Sequence, residues 1–139
     1  MSWIFYAILS AIAAALVAIF GKIGIKNIDT TLATTARAVV MAFVLMIVSL
    51  SLGRWHLIST IGKKPMLFLL LSGLAGAVSW LFYFVALKKG PASGVAALDR
   101  LSVVFVLVLA LFILGEHLTW KNGFGAFLIT AGAILMTIK

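Results

Sequence analysis

PMLFLLLSGLAGAVSWLFYFVAL, at positions 65–87, runs for 23 residues without a single charged side chain. At 1.5 Å per residue a helix of that length reaches roughly 34 Å, enough to cross about 30 Å of hydrocarbon. Four further apolar stretches approach membrane length, at 3–21, 30–53, 92–115 and 120–138, and they leave little but ends and short loops. Hydrophobic residues make up 65% of the chain and charged residues 10%, with a mean hydropathy of +1.29. A water-soluble domain carries about 45–50% apolar and about 25% charged residues, so that class is excluded. The expectation is an all-α integral membrane protein, a bundle of five transmembrane helices forming one domain over residues 1–139.

The punctuation between stretches agrees. Thr30 and Thr31 can cap the second helix and Thr119 the fifth, while Pro65 and Pro91 stand where a first helical turn tolerates a missing N–H. No repeat, low-complexity tract or linker interrupts the chain. Met1-Ser2-Trp3 places no basic residue ahead of the first stretch, so a retained helix is expected there instead of a signal peptide.

Composition also limits the chemistry. The chain has no Cys, two His and three Asp or Glu. That excludes a disulfide framework and thiolate sites, and leaves too few groups for a metalloprotease or a buried triad. No enzyme, cofactor or metal site is expected. The formal charge of +8 is spread over loops between hydrophobic helices instead of one basic face, so lipid headgroups are the expected partners and nucleic acid is not.

With five spans the two ends of the chain lie on opposite sides of the bilayer. The N-terminal side then carries Arg54, Lys63, Lys64 and Lys121; the other carries Lys22, Lys26, Lys88, Lys89 and Lys139. Lys/Arg bias between short loops sets orientation. A difference of one barely does so, although Arg37 and Arg100 near the C-terminal side widen it. Both a single orientation and a dual topology with antiparallel pairing fit this count.

Three groups of residues carry a resemblance. They are Ala97-Leu98-Asp99-Arg100-Leu101-Ser102-Val103-Val104-Phe105; Leu114-Gly115-Glu116-His117-Leu118-Thr119; and Gly125-Ala126-Phe127-Leu128-Ile129-Thr130-Ala131-Gly132. Together with Thr34-Thr35-Ala36-Arg37 and Lys88-Lys89-Gly90-Pro91-Ala92-Ser93, they resemble the EamA-type domain of the drug/metabolite transporter superfamily, more narrowly its small single-domain prokaryotic members. The resemblance implies a multi-pass transporter in the inner membrane of a prokaryote. Larger relatives join two five-helix halves in inverted orientation around the substrate path, so this chain, with one half, is expected to work as a homodimer. It departs from the four-helix multidrug relatives, whose first helix carries a glutamate; the stretch 3–21 has no ionisable carboxylate.

Arg37 and the Asp99-Arg100 pair fall inside the second and fourth stretches, because the uncharged parts of those stretches are too short to span alone. Arg37 lies six residues beyond Thr31 and Asp99 six beyond Ser93, so each stands roughly 9 Å inside its helix start. An unpaired charge there costs on the order of 2.5–3.5 kcal/mol, and such groups pair or face a wet cavity. An Arg37–Asp99 ion pair is therefore expected, serving either as a lock between helices or as part of a substrate path. A carboxylate held charged by arginine carries protons poorly. Proton-driven exchange is then the weaker expectation, and facilitated passage, or antiport in which a cationic or zwitterionic substrate competes for Asp99, is no worse supported.

On the third stretch Gly73, Gly76, Trp80, Tyr83, Phe84 and Leu87 recur at spacings of three and four, one helical face. Trp80 stands seven residues from Leu87, at the level of Arg37 and Asp99 and away from any interfacial belt. Such a wall suits an amphipathic or cationic solute, or packs against a neighbouring helix. Small residues (Ala7, Ser10, Ala11, Ala14, Ala15 and Ala18; Ser72 and Gly76; Gly125 and Gly132) mark expected helix contacts or, on the last helix, a dimer seam. Glu116 and His117 read as loop residues beside headgroups, and Lys63-Lys64 and Lys88-Lys89 as solvated helix ends. The reading is a permease or exporter of a small metabolite or organic cation, with a path past Arg37, Asp99, Trp80, Tyr83, Ser102 and Ser10. The alternatives are a flippase for lipid-linked intermediates and a non-transporting membrane scaffold.

Overall fold

The computed structural model describes residues 3–138; Met1, Ser2 and Lys139, which enter the readings of the leader and of the charge balance, lie outside them. All regular structure among the described residues is helical. The elements are α1 (Trp3–Gly24), α2 (Thr30–Ser51), α3 (Lys63–Lys89), α4 (Ala92–Asp99), α5 (Ser102–Leu109) and α6 (Trp120–Leu135). A short 3₁₀ turn, Trp55–Thr60, follows α2, and a π turn, Ala110–Leu114, continues α5. By residue contacts the chain forms two compact units. One is Ile23–Lys88; the other takes the chain up to Lys22 and from Lys89 onward.

Four helical stretches are long and apolar enough to cross a membrane: Trp3–Gly24, Thr30–Ser51, Lys63–Lys89 and Ala92–Leu114. The expected fifth is shorter than the sequence suggests. α6 has 16 residues, roughly 24 Å against about 30 Å of hydrocarbon. It begins where the Thr119 hydroxyl accepts from the N–H of Asn122, as expected of a cap, and it closes at Leu135, beyond which the Thr137 hydroxyl turns back onto the carbonyls of Ala133 and Ile134. Surface chemistry explains how such a chain is solvated. Large apolar side chains such as Phe82 (71% exposed) and Phe112 (79% exposed) point outward along every long helix, whereas the buried apolar set includes Ala18, Phe84, Leu87, Ala110 and Ala133. Water tolerates few such patches; lipid requires them.

The α2 start differs from expectation. Asp29, not Thr30 or Thr31, is the N-cap: its carboxylate accepts from the N–H groups of Thr31 (2.9 Å) and Leu32 (3.0 Å). Inside the helix, the Thr34 and Thr35 hydroxyls donate to the carbonyls one turn back, those of Thr30 and Thr31. The hydrogen bond from Leu32 is the main cause holding the Asp29 carboxyl below the usual carboxylate range; loss of hydration opposes it, and the Thr31 N–H and the charge of Lys88 add to it. Because the folded value is depressed, the cap's contribution is present above the unfolded value of about 4 and is lost as pH falls through the lower folded value. Asp29→Ala is expected to lower the melting midpoint in detergent by a few degrees near neutral pH. The difference should vanish in acid, and Asp29→Asn, which also caps, should stay near the parent.

The fourth stretch is one apolar run but not one helix. Around Asp99 the backbone tightens: the N–H of Arg100 reaches the carbonyl of Ala97 (3.1 Å) and that of Leu101 the carbonyl of Leu98 (2.9 Å), three residues back in each case. Those bonds separate α4 from α5 at the charged pair. The run ends at Gly115, whose φ of +68° closes the π turn with the N–H groups of Gly115 and Glu116 both directed at the carbonyl of Ala110. Glycine reaches this left-handed conformation at no steric cost.

The small-residue stripes mark intrachain contacts only in part. A Cβ added at Gly73, Gly76, Gly125 or Gly132 would meet no atom within 4 Å. The close approach is at Gly94 of α4, where a Cβ would stand 3.3 Å from Pro91 Cγ and 3.6 Å from Thr137 Cγ2, against the chain just past α6. On α1 the buried position is Ala18, while Ala7, Ser10 and Ala11 are exposed.

Candidate functional site

Within the unit Ile23–Lys88, α2 and α3 form an antiparallel pair joined by the loop at 52–62. Its register is visible at one end. Lys88, near the end of α3, donates from Nζ to the carbonyl of Ile28 just ahead of α2 (2.7 Å). The reading of Lys88 as a merely solvated helix end is thereby corrected: a terminal ammonium serves an orphan carbonyl. Lys22, in the other unit, serves the Gly90 carbonyl in the same way (2.8 Å).

From that end, Arg37 lies seven residues into α2 and Trp80 eight residues back along α3, both roughly 10–12 Å inside the helices. They meet. The Arg37 guanidinium carbon stands 3.6 Å from the centre of the Trp80 ring and 5.9 Å from that of Phe84. Tyr83 packs edge-on to Trp80 (5.3 Å between centroids, 71°) and to Phe84 (6.2 Å, 62°), and Trp80 to Phe84 at 6.0 Å. Phe84 and Leu87 are buried, whereas Arg37, Trp80 and Tyr83 are half-buried.

The chemistry follows from the stacking. A guanidinium laid flat on an indole satisfies its π face and leaves its in-plane N–H groups directed outward. Within its unit Arg37 makes no hydrogen bond and no ion pair, and the one carboxylate of that unit, Asp29, is committed to the α2 cap. Phe84, which the sequence reading kept on the aromatic face but outside the path, contributes to the cation's surroundings. Its spacing of four from Trp80 was the available signal.

The other named residues lie in the second unit. Asp99 closes α4 and Ser102 opens α5, on either side of the tightened turn, and both are exposed. Ser10 is exposed on α1. In the same unit an open depression of about 440 Å³ at the start of α6 is lined by Leu118, Thr119, Trp120, Gly123, Phe124 and Phe127. Its hydroxyl is already used in capping, so it presents an apolar wall without charge. Among the described residues no group of three His, Asp or Glu is placed to hold a metal ion.

Residues 1–138 match the EamA-like transporter family. The chain belongs to that family. It is also 45% identical over 137 residues to a Sinorhizobium sp protein described as an uncharacterized transporter in the cobO 3' region, and the match covers 99% of this chain and 97% of that relative. No solved structure matches it. Family and apolar helices together make it a multi-pass membrane protein of the EamA-like transporters, as the motifs around Arg37, Asp99 and Gly115 imply.

Proposed function

We propose that this EamA-like chain is a permease for a small metabolite, with Arg37, Trp80 and Tyr83 forming the part of the path that reads the solute. The observation that carries the reading is a permanent cation held at membrane depth by aromatic stacking, with its hydrogen-bonding edge unused inside its own unit. A fixed charge in a span is costly and serves function when it faces a solute route. Asp99, Ser102 and Ser10 are the further members of the proposed path. An organic cation is the less favoured cargo, because the ring face of Trp80 that would receive it already carries a guanidinium.

The working unit in this proposal is a homodimer in the inner membrane of a prokaryote, each copy crossing five times. Short α6 would be completed by the turn to Ile138 and local thinning of the bilayer. Antiparallel insertion supplies the inverted half that a single copy lacks. Purified protein in liposomes is expected to release a saturable subset of a labelled metabolite mixture, and Arg37→Gln to reduce that release at least about tenfold. Flux equal to protein-free liposomes would leave a scaffold as the better reading. Tags on each terminus, probed from outside intact cells, are expected to label both ends in one population; labelling of one end alone excludes the antiparallel pair.

A further inference from the structure

We infer that the solute group recognised at this site is an oxyanion, a carboxylate or a phosphate, bound edge-on by the Arg37 guanidinium while Trp80 holds its face. The inference rests on the permease reading and narrows it to a class of cargo.

Three observations converge. The first is geometric. At 3.6 Å from its centre the Trp80 ring covers one side of the Arg37 guanidinium carbon, so a ligand reaches the cation from the uncovered side through its N–H donors. Those donors form a planar fork matched to the two oxygens of a carboxylate or phosphate, and it cannot accept a hydrogen bond from a cationic or neutral donor group. The second is charge. The unit Ile23–Lys88 holds six Lys or Arg and a single carboxylate, Asp29, which is spent on two backbone N–H groups at the start of α2. No acid of that unit is left to compete for Arg37. The third is rigidity. Trp80 is itself held by Tyr83 and Phe84, and Phe84 is 3% exposed, so the cation stands on an anchored platform. Pre-orienting a bidentate donor lowers the ordering cost of binding.

The same chemistry is offered by two sources, a soluble organic anion and an anionic lipid headgroup, and the test separates them. Trp3, Trp55 and Trp120 are exposed and lie outside the site, so their replacement by Phe leaves Trp80 as the sole indole reporter. In phosphatidylcholine nanodiscs, benzoate and phenyl phosphate are expected to change Trp80 emission saturably, while benzylamine at the same concentration does not. Arg37→Gln is expected to weaken the benzoate response about tenfold or more, with Arg37→Lys, which keeps charge but loses the fork, in between. If phosphatidylglycerol doped into the nanodisc produces the same change and blocks benzoate, the source is lipid; if it leaves the benzoate titration unmoved, the source is soluble.

A Trp80 response to benzylamine equal to that of benzoate overturns the inference without any change at Arg37, so it stays falsifiable even where the Gln variant fails to fold. A benzoate response unaltered in a folded Arg37→Gln protein overturns it as well. Flux in liposomes distinguishes the two readings: solute release with no oxyanion response removes this inference and leaves the permease. An Arg37-dependent response without flux does the reverse.

Discussion

Trp80→Ala is expected to lower the stability of the detergent-solubilised protein by on the order of 3 kcal/mol. The indole makes two aromatic contacts, with Tyr83 and Phe84, and carries the Arg37 guanidinium. Because Trp80 is half-buried in a chain that lipid solvates, most of the loss comes from these contacts and little from transfer out of water. The variant also leaves Arg37 without its ring at membrane depth, where an unsupported charge is costly. Thermal unfolding followed by circular dichroism in micelles measures the effect. Trp80→Phe restores a π face and should recover at least half of it. An Ala variant that melts with the parent would mean that the stacking is incidental. Flux should fall in parallel with Arg37→Gln, since both remove the oriented fork.

The second large effect is at Gly94→Leu. A Cβ alone would stand 3.3 Å from Pro91 and 3.6 Å from Thr137, with the Met136 carbonyl at 3.7 Å, so a branched side chain has no space between α4 and the end of α6. Overpacking of this kind costs about 1–3 kcal/mol. Gly94→Ala requires a shift of only a few tenths of an ångström at the proline ring and should cost much less. Hydrogen exchange at residues 132–136 reads the loss locally: the Leu variant is expected to open the last turn of α6 while leaving α2 and α3 protected. Uniform loosening of all helices would instead mean that the two units melt together and that Gly94 supports both.

Residue order alone determined that this chain lives in lipid, because hydropathy and helix length act through composition and a fixed rise per residue. It also determined the family, and it placed Arg37 and Trp80 at one depth, since depth is counted along a helix from its ends. Only the tertiary structure decided that those two side chains touch, because which face α2 turns toward α3 is a property of the folded chain that no one-dimensional periodicity specifies. The α2 cap passed to Asp29 through local geometry: its carboxylate, one residue before Thr30, reaches the N–H groups of Thr31 and Leu32. The break at Asp99 and the early end of α6 were local outcomes that the apolar pattern did not reveal, set by backbone hydrogen bonds reaching three residues back. Close packing at Gly94, instead of along the glycines that share a face, depended on where α4 and the end of α6 come to lie, and that is a property of the folded chain.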